Sequence, residues 1–144
     1  MSGNGATAIL PPGSTIGILG GGQLGRMIAL AAAPLGYRCH VFCPEADSPA
    51  SQVAAATTLA GYDDEAALAA FAGAIDVATY EFENIPAATV EFVERMKPVR
   101  PNSRSLRVAQ NRLEEKNFLN DIGVATTAYA GAGSPASLEA AVRH

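Results

Sequence analysis

The chain has 144 residues, 49% of them apolar, and ten basic against fourteen acidic side chains give a net charge of −4. That is about one domain's length, enough to bury roughly two thirds of the surface exposed by the unfolded chain. Lysine and arginine form no stripe that would track phosphates, and the longest strongly apolar run, residues 27–35, falls far short of the roughly 20 residues a bilayer requires, so neither nucleic acid nor membrane is expected as a partner.

Residues 1–14 lack the basic start and apolar middle of a signal peptide. Their glycine and proline content predicts a flexible leader and a cytoplasmic protein. The stretch Thr15-Ile-Gly-Ile-Leu-Gly-Gly-Gly-Gln-Leu-Gly-Arg-Met27 then reads as a strand, residues 15–19, passing through a glycine turn into a helix, residues 23–35. Leu24, Met27, Ile28, Ala31 and Leu35 form that helix's predicted apolar stripe, with Pro34 weakening the last turn and Gly36 closing it. A second strand is predicted at 37–43, then a polar loop, a short helical piece and a third strand at 56–59. Cys39 and Cys43 share one face of the second strand about 13 Å apart, too far for a disulfide. With only His40 and His144 besides, the chain offers no zinc-ligand spacing, and no metal site is predicted.

Asp63 is placed to cap the next helix, in which Leu68, Phe71, Ala72 and Ile75 have the spacing of a stripe packed on a sheet. A fourth strand follows at 76–80. Pro86 suits the first turn of a helix lined by Thr89, Phe92, Val93 and Met96, and a short strand is expected near Val99. Alternating strands and helices predict an α/β fold: a Rossmann-like parallel sheet with helices on both faces. Beyond Pro101 the pattern changes to helices at 103–109 and 112–121, a strand at 125–130 and a helix at 134–143, as if a new unit opened there.

Gly20, Gly22 and Gly25 match G-x-G-x-x-G in the strand–turn–helix order that a nucleotide-type site needs. Free N–H groups at the helix start favour an anion or a strong hydrogen-bonding ligand, although a ligand-free packing turn has the same signature. In open parallel sheets ligands gather beyond the carboxyl ends of the strands, which is where Glu81-Phe-Glu-Asn84 also falls. Read as extended, Glu81 and Glu83 project to one side as hydrogen-bond acceptors; alternatively Glu83 and Asn84 only cap the following helix. Gln23 both donates and accepts, which suits a neutral polar group. NAD binding would call for an acid at the end of the second strand, where Cys43 stands, with Glu45 displaced past Pro44. Arg112 and Lys116, one turn apart, either meet a triphosphate or pair with Glu115 and Asp121.

Four stretches taken together, Ile18-Leu-Gly-Gly-Gly-Gln-Leu-Gly-Arg-Met27, Ser48-Pro-Ala-Ser-Gln-Val53, Asp76-Val-Ala-Thr-Tyr-Glu-Phe-Glu-Asn84 and Gln110-Asn-Arg-Leu-Glu-Glu-Lys116, resemble the amino-terminal part of the 5-(carboxyamino)imidazole ribonucleotide synthase family of ATP-grasp ligases. The resemblance implies a pre-ATP-grasp domain over 15–101 and the start of an ATP-grasp domain over 102–144. It implies a reaction of purine biosynthesis in which bicarbonate is joined to the amine of aminoimidazole ribonucleotide, with ATP and Mg2+ as cofactors and a homodimer as the assembly. Bicarbonate becomes a competent electrophile once one oxygen is a phosphate leaving group, and magnesium neutralises charge in that transfer. By the same resemblance Gly22, Gln23, Leu24 and Glu81 hold the substrate nucleotide and Arg112 reaches ATP. The catalytic and metal-binding residues are then expected beyond His144, and the chain on its own is expected to be inactive. Cys43 departs from the acid often found at that place in the family. Gln23 separates the chain from the related formate-using glycinamide ribonucleotide enzyme, whose turn carries a glutamate; an NAD-binding domain is the reading from another class.

Overall fold

The computed structural model describes residues 9–143. It divides into two compact units, Met1–Ser103 and Arg104–His144. Part of the expected leader, residues 1–8, lies outside the described residues, whereas the remainder is tied down: Tyr37 donates from its hydroxyl to the Leu10 carbonyl at 2.8 Å, and the Gly13 N–H donates to the Gly36 carbonyl at 2.7 Å.

The first unit is an α/β fold on a four-stranded parallel sheet in the order β3-β2-β1-β4, comprising β1 (Thr15–Leu19), β2 (Arg38–Cys43), β3 (Ala56–Leu59) and β4 (Val77–Tyr80). Val99 adds a parallel bridge to Ala78 where the fifth short strand is expected. Three helices accompany the sheet: α1 (Gln23–Ala32), α2 (Glu65–Gly73) and α3 (Ala87–Glu94). Along β2 the side chains alternate. Cys39, Val41 and Cys43 join Ile18, Ala29, Ala32 and Ala50 in a buried cluster on the α1 side. On the other side the Phe42 and His40 rings meet Phe71 of α2 edge-on, at 5.4 and 5.0 Å between centroids. Both cysteines are free thiols in this core.

The α2 stripe is buried as expected, Leu68, Phe71, Ala72 and Ile75 all included. Its cap is Asp64 rather than Asp63, because the Asp64 carboxylate reaches the N–H three residues on, that of Ala67, at 2.9 Å. The first helix is α-helical to Ala32 and tightens to a 3-10 turn over Ala33–Leu35 at Pro34, with Gly36 left-handed at φ 82°.

The face of α1 corrects the sequence reading. Gly25, Ala29 and Ala32 are buried and Ile28 packs partly buried beside them as expected, whereas Leu24 is 52%, Met27 64% and Leu35 66% exposed. The small residues form their own stripe of helical period, and only they permit the close approach this helix makes; a reading weighted by hydrophobic area overlooks them. In α3 the buried residues are Thr89, Val90 and Val93, while Met96 is exposed and the partly exposed Phe92 ring lies under the Arg95 guanidinium at 4.9 Å. Residues 44–55 contain turns and no helix, so the helical piece expected there is absent.

In the second unit, α4 (Ser103–Gln110), α5 (Arg112–Asp121) and α6 (Pro135–Val142) stand where helices are expected. Asn111 caps α5 by accepting from the N–H groups of Leu113 and Glu114, and Ser134 caps α6. Residues 125–130 are not a strand. They are held to α5 by side chains, with Lys116 donating to the Thr127 hydroxyl at 2.8 Å and Tyr129 to the Asn117 amide oxygen at 2.7 Å, which leaves no ladder for a strand to join. None of the helices described is long and apolar enough to cross a membrane.

Phe71→Ala is expected to cost about 3–5 kcal/mol in urea unfolding and Met27→Lys less than about 0.5 kcal/mol, an ordering that the stripe read from sequence would have put much closer together. Burial lowers the pKa of His40, so the folded state holds its neutral form more firmly than the unfolded chain does. The corresponding stability is present above the unfolded value of about 6.5 and is lost as the pH falls below it. Unfolding of the wild type should therefore weaken between pH 7.5 and 5.5 more than that of His40→Gln.

Candidate functional site

The sheet reverses its order of addition at β1: β2 and β3 lie to one side and β4 to the other. The loops leaving β1 and β4 consequently diverge and open a crevice at the carboxyl end of the sheet. Its lining is Gly21 and Gly22 from the first loop, residues 45–49 from the loop after β2, Tyr62, and Glu81 with Phe82 from the loop after β4, enclosing about 420 Å3.

One carboxylate organises this end of the molecule. Glu81 Oε1 accepts the Gly22 N–H and Oε2 accepts the Gly25 N–H, both at 2.8 Å, while the Glu81 N–H donates to the Leu19 carbonyl at 3.1 Å. Two first-turn donors of α1 are thereby satisfied by a negative charge at the positive end of the helix. The side chain fits because the turn is glycine. Gly20 is left-handed at φ 109°, and a Cβ there would stand 2.5 Å from Glu81 Cγ. At Gly25 a Cβ would come within 3.0 Å of the Gly20 carbonyl and 3.1 Å of Glu81 Oε2, so this glycine admits the carboxylate as well as packing helix on strand.

The sequence-predicted residues separate on this geometry. Gly22 and Glu81 line the crevice and touch one another. Gln23 and Leu24 lie outside its lining, exposed at the start of α1, where their N–H groups have no acceptor within the helix. Residues 81–84 form a bend and turn rather than an extended stretch, with Glu83 and Asn84 exposed, so the expectation that Glu81 and Glu83 project together is corrected by the turn into α3. The alternative role for Glu83 and Asn84 also changes, since the residue at the α3 cap is Pro86. In the second unit Arg112 is ion-paired with Glu115, its side chain 74% exposed, and Lys116 is engaged with Thr127 rather than with an acid.

Several lining residues carried no signal in the sequence. Tyr62 follows β3 and shares the core edge with Phe42 at 6.1 Å between rings. Burial first, then the neighbouring Glu45, Cys43 and Glu81, push its hydroxyl far above the ordinary tyrosine range. Ser48 is buried, its hydroxyl 3.3 Å from Cys43 Sγ, and the Ala50 N–H donates to the Gly21 carbonyl at 2.9 Å, which clips the second loop to the glycine turn. The Ser48-Pro49-Ala50 run was visible as a motif, but this purpose was not.

Fold and crevice together define a Rossmann-like α/β module in which the glycine turn is already neutralised from within. The comparisons narrow the class: residues 13–110 match the ribonucleotide synthetase preATP-grasp domain family, and the chain belongs to it. It is 48% identical over 134 residues to the bifunctional purine synthesis protein purC/E of Dictyostelium discoideum, covering 93% of this chain and 13% of that one. With N5-carboxyaminoimidazole ribonucleotide synthase of Brucella melitensis it shares 49% identity over 120 residues, 83% of this chain and 33% of that protein. Among solved structures, the ADP complex of an N5-carboxyaminoimidazole ribonucleotide synthetase superposes with a TM-score of 0.90 at 42% identity, over 95% of this chain and 36% of that one. The Aspergillus clavatus synthase in complex with ADP and 5-aminoimidazole ribonucleotide matches with a TM-score of 0.80 at 27% identity, over 92% and 36%. The chain thus spans about a third of the length of the synthases it matches.

Glu81→Gln keeps the shape but turns an –NH2 toward one of the two glycine N–H groups, and about 1–3 kcal/mol of stability should be lost in urea unfolding. An unchanged midpoint would show that the carboxylate does not hold the turn.

Proposed function

We propose that this chain is the substrate-facing amino-terminal part of an N5-carboxyaminoimidazole ribonucleotide synthase, an ATP-dependent carbon–nitrogen ligase of purine biosynthesis that joins bicarbonate to aminoimidazole ribonucleotide and releases ADP and phosphate. The observation that carries this reading is the crevice bounded by the glycine turn with its Glu81 carboxylate on one side and residues 45–49 on the other, in a chain whose relatives bear that name. In this reading residues 15–101 are the pre-ATP-grasp domain and residues 102–144 open the ATP-grasp domain.

The crevice suits the amine and hydroxyl groups of the nucleotide better than its phosphate. Its lining contains Glu45, Asp47 and Glu81 and no basic side chain. Glu81 retains acceptor capacity beyond its two backbone bonds and can receive a hydrogen bond from the substrate, while Gly22 shapes the approach. The N–H groups of Gln23 and Leu24, with the Gln23 amide, offer the donors that face a neutral or partly anionic edge. Arg112, which would release Glu115, is the residue proposed to meet ATP phosphates. ATP and Mg2+ supply activation of bicarbonate by phosphorylation, and neither the Mg2+ ligands nor the catalytic residues are assigned to this chain. A cytoplasmic homodimer belongs to the same proposal.

The NAD-binding alternative loses ground on one point. A pyrophosphate would need the N–H groups that Glu81 occupies, and would approach a carboxylate to reach them.

Calorimetric titration of the chain with aminoimidazole ribonucleotide, ADP and NAD tests the proposal. Binding of the ribonucleotide, weakened about tenfold or more by Glu81→Gln, is the expected outcome, since one charge-assisted hydrogen bond is worth that much. Micromolar binding of NAD with none of the ribonucleotide would overturn it.

A further inference from the structure

Arg26 is the one charged side chain of α1, and it points along the outside of the crevice wall. Its Nη1 donates to the Pro49 carbonyl and to Gln52 Oε1, each at 3.0 Å. The Gln52 amide is thereby oriented with oxygen toward Arg26 and –NH2 outward, and that –NH2 donates to Asp47 Oδ1 at 3.2 Å. Asp47 lines the crevice and is the only non-glycine residue with a positive φ, 54°, among the described residues. Aspartate tolerates a left-handed backbone better than most residues, and its side chain is here anchored by Gln52. The backbone of Arg26 ties in as well: its N–H donates to the Gly22 carbonyl at 3.0 Å, closing the first turn of α1 on the glycine loop. The guanidinium is consequently in register with one wall of the crevice while its hydrogen bonds hold the other.

We infer that Arg26 is a positioning residue: acting through Gln52, it holds residues 45–49 in the shape that receives the amine- and hydroxyl-bearing part of a nucleotide. The inference rests on the function proposed above. Two walls of the site are set by two different devices. Glu81 fixes the glycine turn from the β4 side, and the Arg26–Gln52–Asp47 relay fixes the facing loop from the α1 side. Direction is built into the relay, because the Gln52 amide accepts from the guanidinium through its oxygen and donates to the carboxylate through its –NH2. Glutamate at position 52 would keep the first contact and turn the second into repulsion. A carboxamide at position 47 would then repair it by donating back.

The experiment uses the full chain and three variants, Arg26→Ala, Gln52→Glu and the double variant Asp47→Asn/Gln52→Glu. It combines amide exchange without ligand, calorimetry with aminoimidazole ribonucleotide, and thermal unfolding. Arg26→Ala and Gln52→Glu are expected to speed exchange at Ala50 and Gln52 about tenfold and to weaken nucleotide binding by a similar factor, the scale of one hydrogen bond to a charged group. The β-strands and α2 should keep their protection and the melting temperature should stay close to that of wild type. The double variant should recover the slow exchange at Ala50 and Gln52 seen without ligand, which a relay that plays no part in holding the loop would not produce. Wild-type and Arg26→Ala chains that bind the nucleotide equally overturn the inference and leave the proposed function standing. A wild-type chain that does not bind the nucleotide overturns the proposed function and the inference with it. Should Arg26→Ala fail to fold, the Gln52→Glu pair decides, with absence of rescue counting against the relay.

Discussion

The Glu81 carboxylate, held between the N–H groups of Gly22 and Gly25, is the interaction on which the carboxyl end of the sheet depends. It joins the loop after β4 to the start of α1 across the place where the sheet reverses direction, so two loops that topology drives apart are fastened by one side chain. Three conditions meet there. The turn must be glycine to admit the carboxylate, the helix must present unpaired donors, and β4 must end level with β1 so that its next residue faces them. The β1–β4 register, Leu19 opposite Tyr80, satisfies the last condition.

This fastening changes what a glycine-rich turn means. In the general case such a turn is an anion site, because backbone donors and the helix dipole converge on it. Here the anion is the protein's own. What remains is a crevice with carboxylate walls and a partly buried tyrosine hydroxyl, with the first-turn N–H groups of Gln23 and Leu24 outside its lining. In the proposed function such a surface would select by hydrogen bonding to neutral and amine-bearing groups rather than by charge neutralisation. The same sequence signature and the same strand–turn–helix geometry therefore serve a different chemistry, and the difference lies in a residue 59 positions away from Gly22.

Packing below the site follows from the same economy of volume. α1 approaches the sheet through Gly25, Ala29 and Ala32 with Ile28 partly buried beside them, and Leu24, Met27 and Leu30 are left exposed. On the opposite face the sheet is covered by large side chains, with Phe71 against Phe42 and His40. One face is thin and lets the glycine turn, Ala50 and Glu81 come together; the other is built from larger, aromatic side chains. The second unit follows another logic, in which polar side chains on α5 hold the segment after it without a sheet.

Local signals in the chain were sufficient for the class of fold, the order and type of nearly all elements, the stripe of α2, the weakened last helical turn at Pro34 and the two residues, Gly22 and Glu81, that meet at the crevice. Each depends on spacing or on backbone preferences that neighbouring residues carry themselves. Tertiary structure alone decided which face of α1 is buried, that residues 125–130 make no strand, that Tyr62 and residues 45–49 wall the crevice, and that Glu81 fills the anion site of the turn. Those outcomes depend on how closely two backbones approach and on partners distant in sequence, and such contacts leave no period along the chain from which they could be read.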